Sequence, residues 1–177
     1  MKILKKIFLV LLSLIGIVLI AGLILSKDYA VEREVIINQP KDSVFNYVKM
    51  MKNQDNFSVW NMKDPNSKKT FTGTDGEVGF IYNWNGNDDV GEGEQEIKKI
   101  TPGERIDIEL RFKRPMVSTD YAYFTTESIS PTQTRVKWGF TGEMPYPMNA
   151  IKSVMGNMIG KDLQAGLDNL KTNLEKK

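Results

Sequence analysis

The chain has 177 residues, with 24 basic and 22 acidic side chains, no histidine and no cysteine. A hydrophobic content of 41% suits a globular protein and argues against a disordered, collagenous or disulfide-framework chain. Without His or Cys, the chain lacks Ser-His-Asp and Cys-His nucleophile systems and the commonest metal ligands. We therefore predict no catalytic residues, no metal site and no cofactor.

The first segment of the chain is strongly apolar. Residues 7–25 include no charged side chain, and as a helix they would span about 28 Å, close to the thickness of a bilayer core. We interpret residues 1–26 as an uncleaved transmembrane anchor and residues 27–177 as one folded domain. A cleaved signal peptide is the alternative, but this run is longer than a usual signal core and lacks a good small-residue cleavage site. A buried helix of a soluble fold is the third interpretation.

The flanking charges predict the orientation of this anchor. Lys2, Lys5 and Lys6 precede the apolar run, whereas acidic and basic residues are mixed after it. This asymmetry favours a single-pass protein with a cytoplasmic N-terminus and its domain on the periplasmic or extracytoplasmic side. Without those three lysines, the domain carries 21 basic and 22 acidic groups. A nearly neutral domain has no electrostatic footprint for nucleic acid, so we predict none as a partner.

The domain begins with a strand and a helix. Residues 31–38 alternate in part, as expected of a strand. Pro40 suits the first turn of a helix, and Val44, Phe45, Val48 and Met51 would share one face of it. Residues 53–60 are expected to hold a second short helix or a turn.

From Lys68 the hydrophobic period becomes two, which predicts strands. Asn85-Gly86 is typical of a tight turn, and the strand at 105–112 alternates fully between apolar and charged residues. Short links join the successive strands, so we expect an antiparallel meander with one buried face. The predicted strands cover residues 80–84, 94–100, 105–112, 121–130 and 134–142.

The C-terminal segment predicts a long amphipathic helix. Apolar residues recur at three- and four-residue spacings over roughly 25 residues. An antiparallel sheet with one apolar face, followed by such a helix, indicates a sheet wrapped around that helix. The apolar positions are Ile151, Val154, Met155, Met158, Ile159, Leu163, Leu167, Leu170 and Leu174.

Four segments of the domain resemble a known superfamily in their order and spacing. They are residues 36–45, 91–106, 134–138 and 160–171. Together they are similar to the START-related, Bet v 1-like and polyketide-cyclase-like proteins, grouped as SRPBCC. The resemblance implies an α+β helix-grip fold. In this fold a curved antiparallel sheet of about six or seven strands wraps a long C-terminal helix, here preceded by one transmembrane helix.

The resemblance also implies a cavity between sheet and helix that binds a hydrophobic small molecule or lipid. It supplies no universal catalytic residue, and fold alone does not define function. Two other functions stay open: a protein-interaction module with a filled core, and a cyclase-like enzyme that would need a buried carboxylate or Tyr in the cavity. The residues expected to line the cavity are Phe80, Tyr82, Trp84, Ile108, Leu110, Trp138, Phe140, Met155, Gly156, Ile159 and Gly160.

Core packing alone would also explain the aromatic and methionine residues in that set. Gly156 and Gly160 are more informative, because glycine costs about 1 kcal/mol in a helix interior relative to alanine. They lie four residues apart and so on one side of the helix. Either the sheet approaches the helix closely there, or space is left open for a ligand.

Overall fold

A computed structural model describes residues 2–176 of the chain. It contains four α-helices and seven strands, together with short 3-10 helices at Met51–Asn56 and Met148–Ile151. The helices are α1 (Lys2–Ile24), α2 (Lys41–Val48), α3 (Val59–Lys63) and α4 (Lys152–Glu175). The strands are β1 (Asp28–Ile37), β2 (Lys68–Thr72), β3 (Ile81–Asn85), β4 (Glu92–Thr101), β5 (Arg105–Arg114), β6 (Ser118–Ser130) and β7 (Gln133–Glu143).

The strands form one antiparallel sheet in the order β1-β7-β6-β5-β4-β3-β2. Strands that follow one another in the chain are neighbours in the sheet, except for β1 and β2. β1 pairs with β7, so β1 and β2 are the two edge strands. This arrangement, with a long C-terminal helix packed on the sheet, confirms the predicted α+β helix-grip class. The alternating sequence explains it, because each strand can bury one face only.

The register gives the sheet two distinct ends. Asp28 at the start of β1 pairs with Glu143 at the end of β7, and Phe112 near the end of β5 pairs with Ser118 at the start of β6. Since α1 ends just before β1, we call this the α1 end. The opposite end, where α2 follows β1, is the α2 end.

The concave face is most tightly filled at the α2 end. Ile37 of β1 and Val136 of β7 are fully buried, and Val44 and Val48 of α2 close over them. The helical face predicted from Val44, Phe45, Val48 and Met51 is buried as expected, although Met51 lies in the 3-10 helix that follows α2. This end of the molecule is a packed hydrophobic core.

Helix α4 runs along β1 from the α1 end to the α2 end. Lys152 Nζ donates to the Asp28 carbonyl at 3.2 Å, and Gln39 Nε2 donates to the Leu174 carbonyl at 2.9 Å. The predicted stripe is covered in the second half of the helix only, where Leu163, Leu167 and Leu170 are fully buried. At the start of the predicted stripe, Ile151, Val154 and Met158 are exposed.

The link between β3 and β4 is longer than the tight turn predicted at Asn85-Gly86. Residues 86–91 connect the strands, and the Gly86 N–H donates to the Gly91 carbonyl at 2.9 Å. The positive φ falls on Gly91, at 64°, where a side chain would also collide with the Arg114 carbonyl. The glycine that the turn requires is therefore Gly91, and only the whole loop geometry identifies it.

Helix α1 is long and apolar enough to cross a membrane, and almost all of its side chains are exposed. The same length and composition also suit a signal sequence near an N-terminus. Its last turn contacts the segment before α4.

Candidate functional site

Four of the predicted cavity residues lie inside the packed core. Phe80, Tyr82, Ile108 and Trp138 are each at most 4% exposed. Trp138 stacks on Phe124 with ring centroids 4.8 Å apart, so its indole face is already covered. These four side chains lie on the concave face as the strand alternation predicts, but other core side chains fill the space around them.

The hydroxyl of Tyr82 is also committed to a polar cluster. It donates to Asp55 Oδ1 at 2.6 Å, and Asn61 Nδ2 and Lys69 Nζ reach the same oxygen at 2.9 Å. Burial acts to raise the pKa of Asp55, but the bonds from Tyr82, Asn61 and Lys69 outweigh it and hold the pKa below its usual value. We read this cluster as structural, because each of its bonds joins two elements of the fold.

The other predicted residues lie toward the α1 end, where burial of the concave face decreases. Along β5, Ile106 and Ile108 are buried, whereas Leu110 and Phe112 on the same face are only partly covered. Trp84 packs edge-on against Phe112 at 5.7 Å. The partly buried predicted residues of this end are Trp84, Leu110, Phe140, Met155 and Ile159. Phe112, which was not among the predicted residues, is partly buried beside them.

The two helix glycines differ in their surroundings. Gly160 is buried, and a Cβ there would collide with the Arg33 guanidinium, which crosses the helix from β1. A Cβ on Gly156 would meet only Val31 Cγ2, at an ordinary contact distance of 3.5 Å. The Arg33 side chain therefore occupies the space beside Gly160. Gly156 instead borders a groove between β1 and α4.

Asp120 is a buried carboxylate on the concave face that the sequence analysis did not single out. It is 6% exposed, and its oxygens accept bonds from the Tyr29 hydroxyl and the Ser118 hydroxyl, both at 3.1 Å. No cation within residues 2–176 forms an ion pair with it, so burial raises its pKa above the usual range despite the two hydrogen bonds. The side chain lies over Gly142 of β7, where any side chain would collide with it.

The strand alternation could have identified Asp120. In β6, residues 120, 122, 124 and 126 share the buried face. The strand predicted from the sequence begins at residue 121, which places Asp120 in the loop before it. Its contact with Tyr29 joins residues 91 positions apart, which no local pattern contains.

One surface groove lies at the α1 end of the sheet, and a second lies on the convex face. The larger, of about 490 Å³, runs between residues 28–33 of β1 and residues 152–157 of α4. The second, of about 310 Å³, lies on the convex face among charged side chains that include Arg105 and Glu32. Among residues 2–176, no group of three or more acidic side chains converges as a metal site would require.

Comparison with known proteins agrees with the geometry. The family model described as "Polyketide cyclase / dehydrase and lipid transport" matches residues 29–175. A search of the curated proteins found no significant match.

Among solved structures, norcoclaurine synthase from Thalictrum flavum is similar with a TM-score of 0.66 and 13% identity, covering 87% of this chain and 98% of that one. Another structure of that enzyme contains dopamine and hydroxybenzaldehyde. An uncharacterised protein from Bacillus thuringiensis has a TM-score of 0.63 and 12% identity, covering 84% and 100%. A hypothetical protein from Helicobacter pylori has a TM-score of 0.60 and 14% identity, covering 83% and 88%.

At such identities these neighbours establish a shared fold and nothing about activity. The family model, in contrast, spans the whole domain, from the start of β1 to the end of α4. This chain therefore belongs to the polyketide cyclase/dehydrase and lipid transport family of the SRPBCC superfamily.

Proposed function

We propose that this protein binds a hydrophobic small molecule or lipid between the concave face and α4, at the α1 end of the sheet. The observation that carries this proposal is the change in burial along the concave face. Ile37, Ile106 and Val136 are fully buried at the α2 end. At the α1 end, Leu110, Phe112 and Phe140 remain partly exposed. Apolar aromatic side chains that stay accessible inside a concave fold favour a guest rather than a closed core.

The polar group at this end supports an amphipathic guest. Asp120 is the strand neighbour of Leu110, so a buried carboxylate stands among partly exposed apolar side chains. Ligand sites of this kind combine an apolar wall with a few polar atoms that orient the ligand. The family's association with lipid transport points to the same class of ligand.

Helix α1 is, in this proposal, a single-pass anchor that stays attached to the domain. Its support comes from the contacts that Asn149 makes with α1: Nδ2 donates to the Gly22 and Leu25 carbonyls, both at 2.8 Å. A signal peptide destined for cleavage has no need of specific bonds to the mature domain. The anchor would hold the α1 end of the sheet close to the bilayer and raise the local concentration of lipid ligands.

The proposed orientation places the N-terminus in the cytoplasm and the domain outside. Since the chain has no cysteine, Val78→Cys creates a single reactive site at an exposed loop position. An impermeant maleimide should label this variant in intact cells, and the Lys5→Cys variant only after lysis. The reverse pattern would overturn the orientation.

We further propose binding without chemical conversion. Asp120 is the group in this site that is best placed to move a proton, since its pKa is raised and it contacts a Tyr hydroxyl. A cyclase-like activity is the second candidate for that reason. Conversion of a bound ligand that disappears in the Asp120→Asn variant, while the ligand still binds, would replace the binding proposal with an enzymatic one.

A protein-interaction module is the remaining alternative. Its support is the packed core at the α2 end together with exposed apolar residues such as Val154 and Met158. It predicts a stoichiometric protein partner and no bound small molecule in the intact protein.

Photo-crosslinking distinguishes these proposals. The full chain in lipid nanodiscs is incubated with a diazirine-bearing fatty acid, irradiated and mapped by peptide mass spectrometry. We expect adducts on β5, β7 and the first half of α4. Leu110→Trp, which fills the partly covered position, should reduce them severalfold, whereas Val78→Trp, at an exposed loop, should not. Adducts confined to α1 in all three proteins would overturn the binding proposal.

A further inference from the structure

An exposed apolar surface lies where α1 meets the domain. We call it the junction face; it consists of Tyr146, Met148, Ile151, Val154 and Met158. Val154 is 60% exposed and Met158 57% exposed. Residues 151, 154 and 158 follow one another at spacings of three and four, so they lie on one side of the helical segment. The other three side chains of the face, Tyr146, Met148 and Ile151, are between 36% and 43% exposed.

Hydrogen bonds fix this face against the last turn of α1. Asn149 Nδ2 donates to two carbonyls of α1 and its end, those of Gly22 and Leu25. Lys152 Nζ donates to the Ser26 carbonyl at 2.9 Å and also reaches the Asp28 carbonyl. A helix end leaves its final carbonyls without helical partners, and here Asn149 satisfies that of Gly22 and that of Leu25, just after the helix. The junction face is therefore held in a defined place relative to α1.

The depth of α1 in a bilayer determines what surrounds this face. Lys5 and Lys6 precede the uncharged residues 7–25, which as a helix are about 28 Å long, close to a hydrocarbon core of about 30 Å. The last turn of α1 would then lie at the lipid–water boundary. The Tyr146 ring packs on Gly22, where a Cβ would be 3.0 Å from Tyr146 Cδ2. Tyrosine is enriched at this boundary because its ring is apolar and its hydroxyl is polar.

We infer that the junction face is inserted into the headgroup and upper acyl region of the bilayer. The partner of this face is the lipid surface itself, so the domain lies on the membrane instead of standing away from it on a free tether. This inference rests on the proposed role of α1 as an anchor. It deepens that proposal, because it places the partly open α1 end of the concave face at the lipid surface.

One apolar loop and one acidic loop at the α1 end predict how the domain is tilted on the membrane. Met116 and Val117, in the loop between β5 and β6, are exposed apolar residues at this end. Asp88 and Asp89 also lie at this end, but in the β3–β4 loop, toward the sheet edge opposite β1. Five strand spacings, roughly 24 Å along the sheet, separate β1 from β3. We expect the β1 and α4 side to touch the lipid and the acidic loop to stay in water.

Depth-dependent fluorescence quenching tests this arrangement in the full chain. Single cysteines at Val154, Met158, Val78, Asp88 and Ile15 are labelled with an environment-sensitive nitrobenzoxadiazole dye in liposomes. The liposomes contain lipids with a doxyl quencher near the headgroup end of the acyl chain or near its methyl end. Val78 is the matched control, since it is 61% exposed, as Val154 is at 60%, but lies in the β2–β3 loop at the α2 end.

The expected pattern separates the anchor from the junction face. The dye at Ile15 should be quenched best by the deep quencher, because that residue lies in the middle of α1. The dyes at Val154 and Met158 should lose about half of their fluorescence with the shallow quencher, as expected for residues buried about 5–10 Å into the boundary. The dyes at Val78 and Asp88 should not respond.

Two outcomes would overturn the inference in different ways. If Ile15 is quenched while Val154 and Met158 behave like Val78, the anchor stands and the inserted face is wrong. If Ile15 is not quenched, the anchor proposal fails and the inference fails with it. A dye at Val154 that is shielded from water but insensitive to both quenchers would show that a protein, or a second copy of the chain, covers the face.

A charge-insertion variant provides a second measurement. Val154→Asp together with Met158→Asp changes two exposed side chains and should leave the fold intact. A dye at Ile151 should then lose most of its shallow quenching. Val78→Asp is the matched control and should leave that quenching unchanged; equal quenching in all three proteins contradicts the inference.

Discussion

Two glycines of α4 show how residue-scale contacts decide the effect of one methyl group. A Cβ on Gly166 would lie 2.7 Å from Trp138 Cζ3, inside the packed core, whereas a Cβ on Gly156 meets only Val31 at 3.5 Å. Gly166→Ala should therefore destabilise the fold by about 1–3 kcal/mol through overpacking. Gly156→Ala should stabilise it by about 0.5–1 kcal/mol, because alanine loses less entropy in a helix.

Chemical unfolding of the full chain in detergent measures both changes. The two variants carry the same substitution in the same helix, so each is the control for the other. A stabilised Gly166→Ala protein would mean that Trp138 has room to move.

Asp120 gives a pH-dependent prediction at the same scale. Its pKa is raised in the folded state by burial, so the charged form is less favourable in the fold than in the unfolded chain. The resulting loss of stability is present at neutral pH and disappears as pH falls below the unfolded value of about 4. Asp120→Asn should raise the free energy of unfolding at pH 7 on the order of 1 kcal/mol.

Unfolding measured at pH 7 and at pH 3.5 checks this sign. The difference between the variant and the native protein should shrink at the lower pH. A variant that is less stable at pH 7 would instead show that the negative charge is needed for the bonds from Tyr29 and Ser118.

At the scale of elements, the β4–β5 hairpin depends on one arginine on its convex face. Arg111 contacts three carboxylates: Glu94 at 2.7 Å, Glu96 at 2.8 Å and Glu109. Bonds from Arg111 are the largest cause that lowers the pKa of both Glu94 and Glu96. Arg111→Met should destabilise the fold by about 1–2 kcal/mol at pH 7, because three neighbouring negative charges lose their common partner.

At neutral pH, Glu94 and Glu96 contribute to stability with the opposite sign to Asp120, because their pKa values are lowered and not raised. Carboxylates with lowered pKa stabilise the fold above their unfolded pKa, and this stabilisation is lost as they become protonated. The cost of Arg111→Met should therefore shrink between pH 7 and pH 3.5, as followed by thermal unfolding. Lys99→Met, on an exposed side chain of β4, is the control. A cost that is unchanged at pH 3.5 would mean that Arg111 acts through packing.

At the scale of the whole molecule, Asn149 couples α1 to the domain. Asn149→Ala removes both bonds to the α1 carbonyls, and the domain should become freer to rotate relative to the helix. Spin labels at Ile15 and Val78 in nanodiscs should then give a broader distance distribution by pulsed electron resonance. Asn157→Ala, an exposed position on α4, should leave the distribution narrow. An equally narrow distribution in the Asn149 variant would mean that Lys152 and the chain connection alone hold the joint.

Local patterns in the sequence were sufficient to predict most of the fold. Period-two alternation identified the faces of β3, β5 and β7, and the three- and four-residue spacings identified α4, because each pattern reports a face that must be buried. The apolar segment and the order of the motifs likewise indicated an anchor candidate and the helix-grip class. These features depend on residues that are close together in the chain, so the sequence alone is enough to recognise them.

Tertiary structure decided which of those faces are filled and which remain open. Trp138 and Leu110 both lie on the concave face, yet only Trp138 is enclosed, because Phe57, Phe124 and α4 pack around it. The contact of Tyr29 with Asp120 and the bonds from Asn149 to α1 join residues about 90 and 125 positions apart. Such pairs arise only when strand order and helix placement bring distant segments together, so no local spacing predicts them.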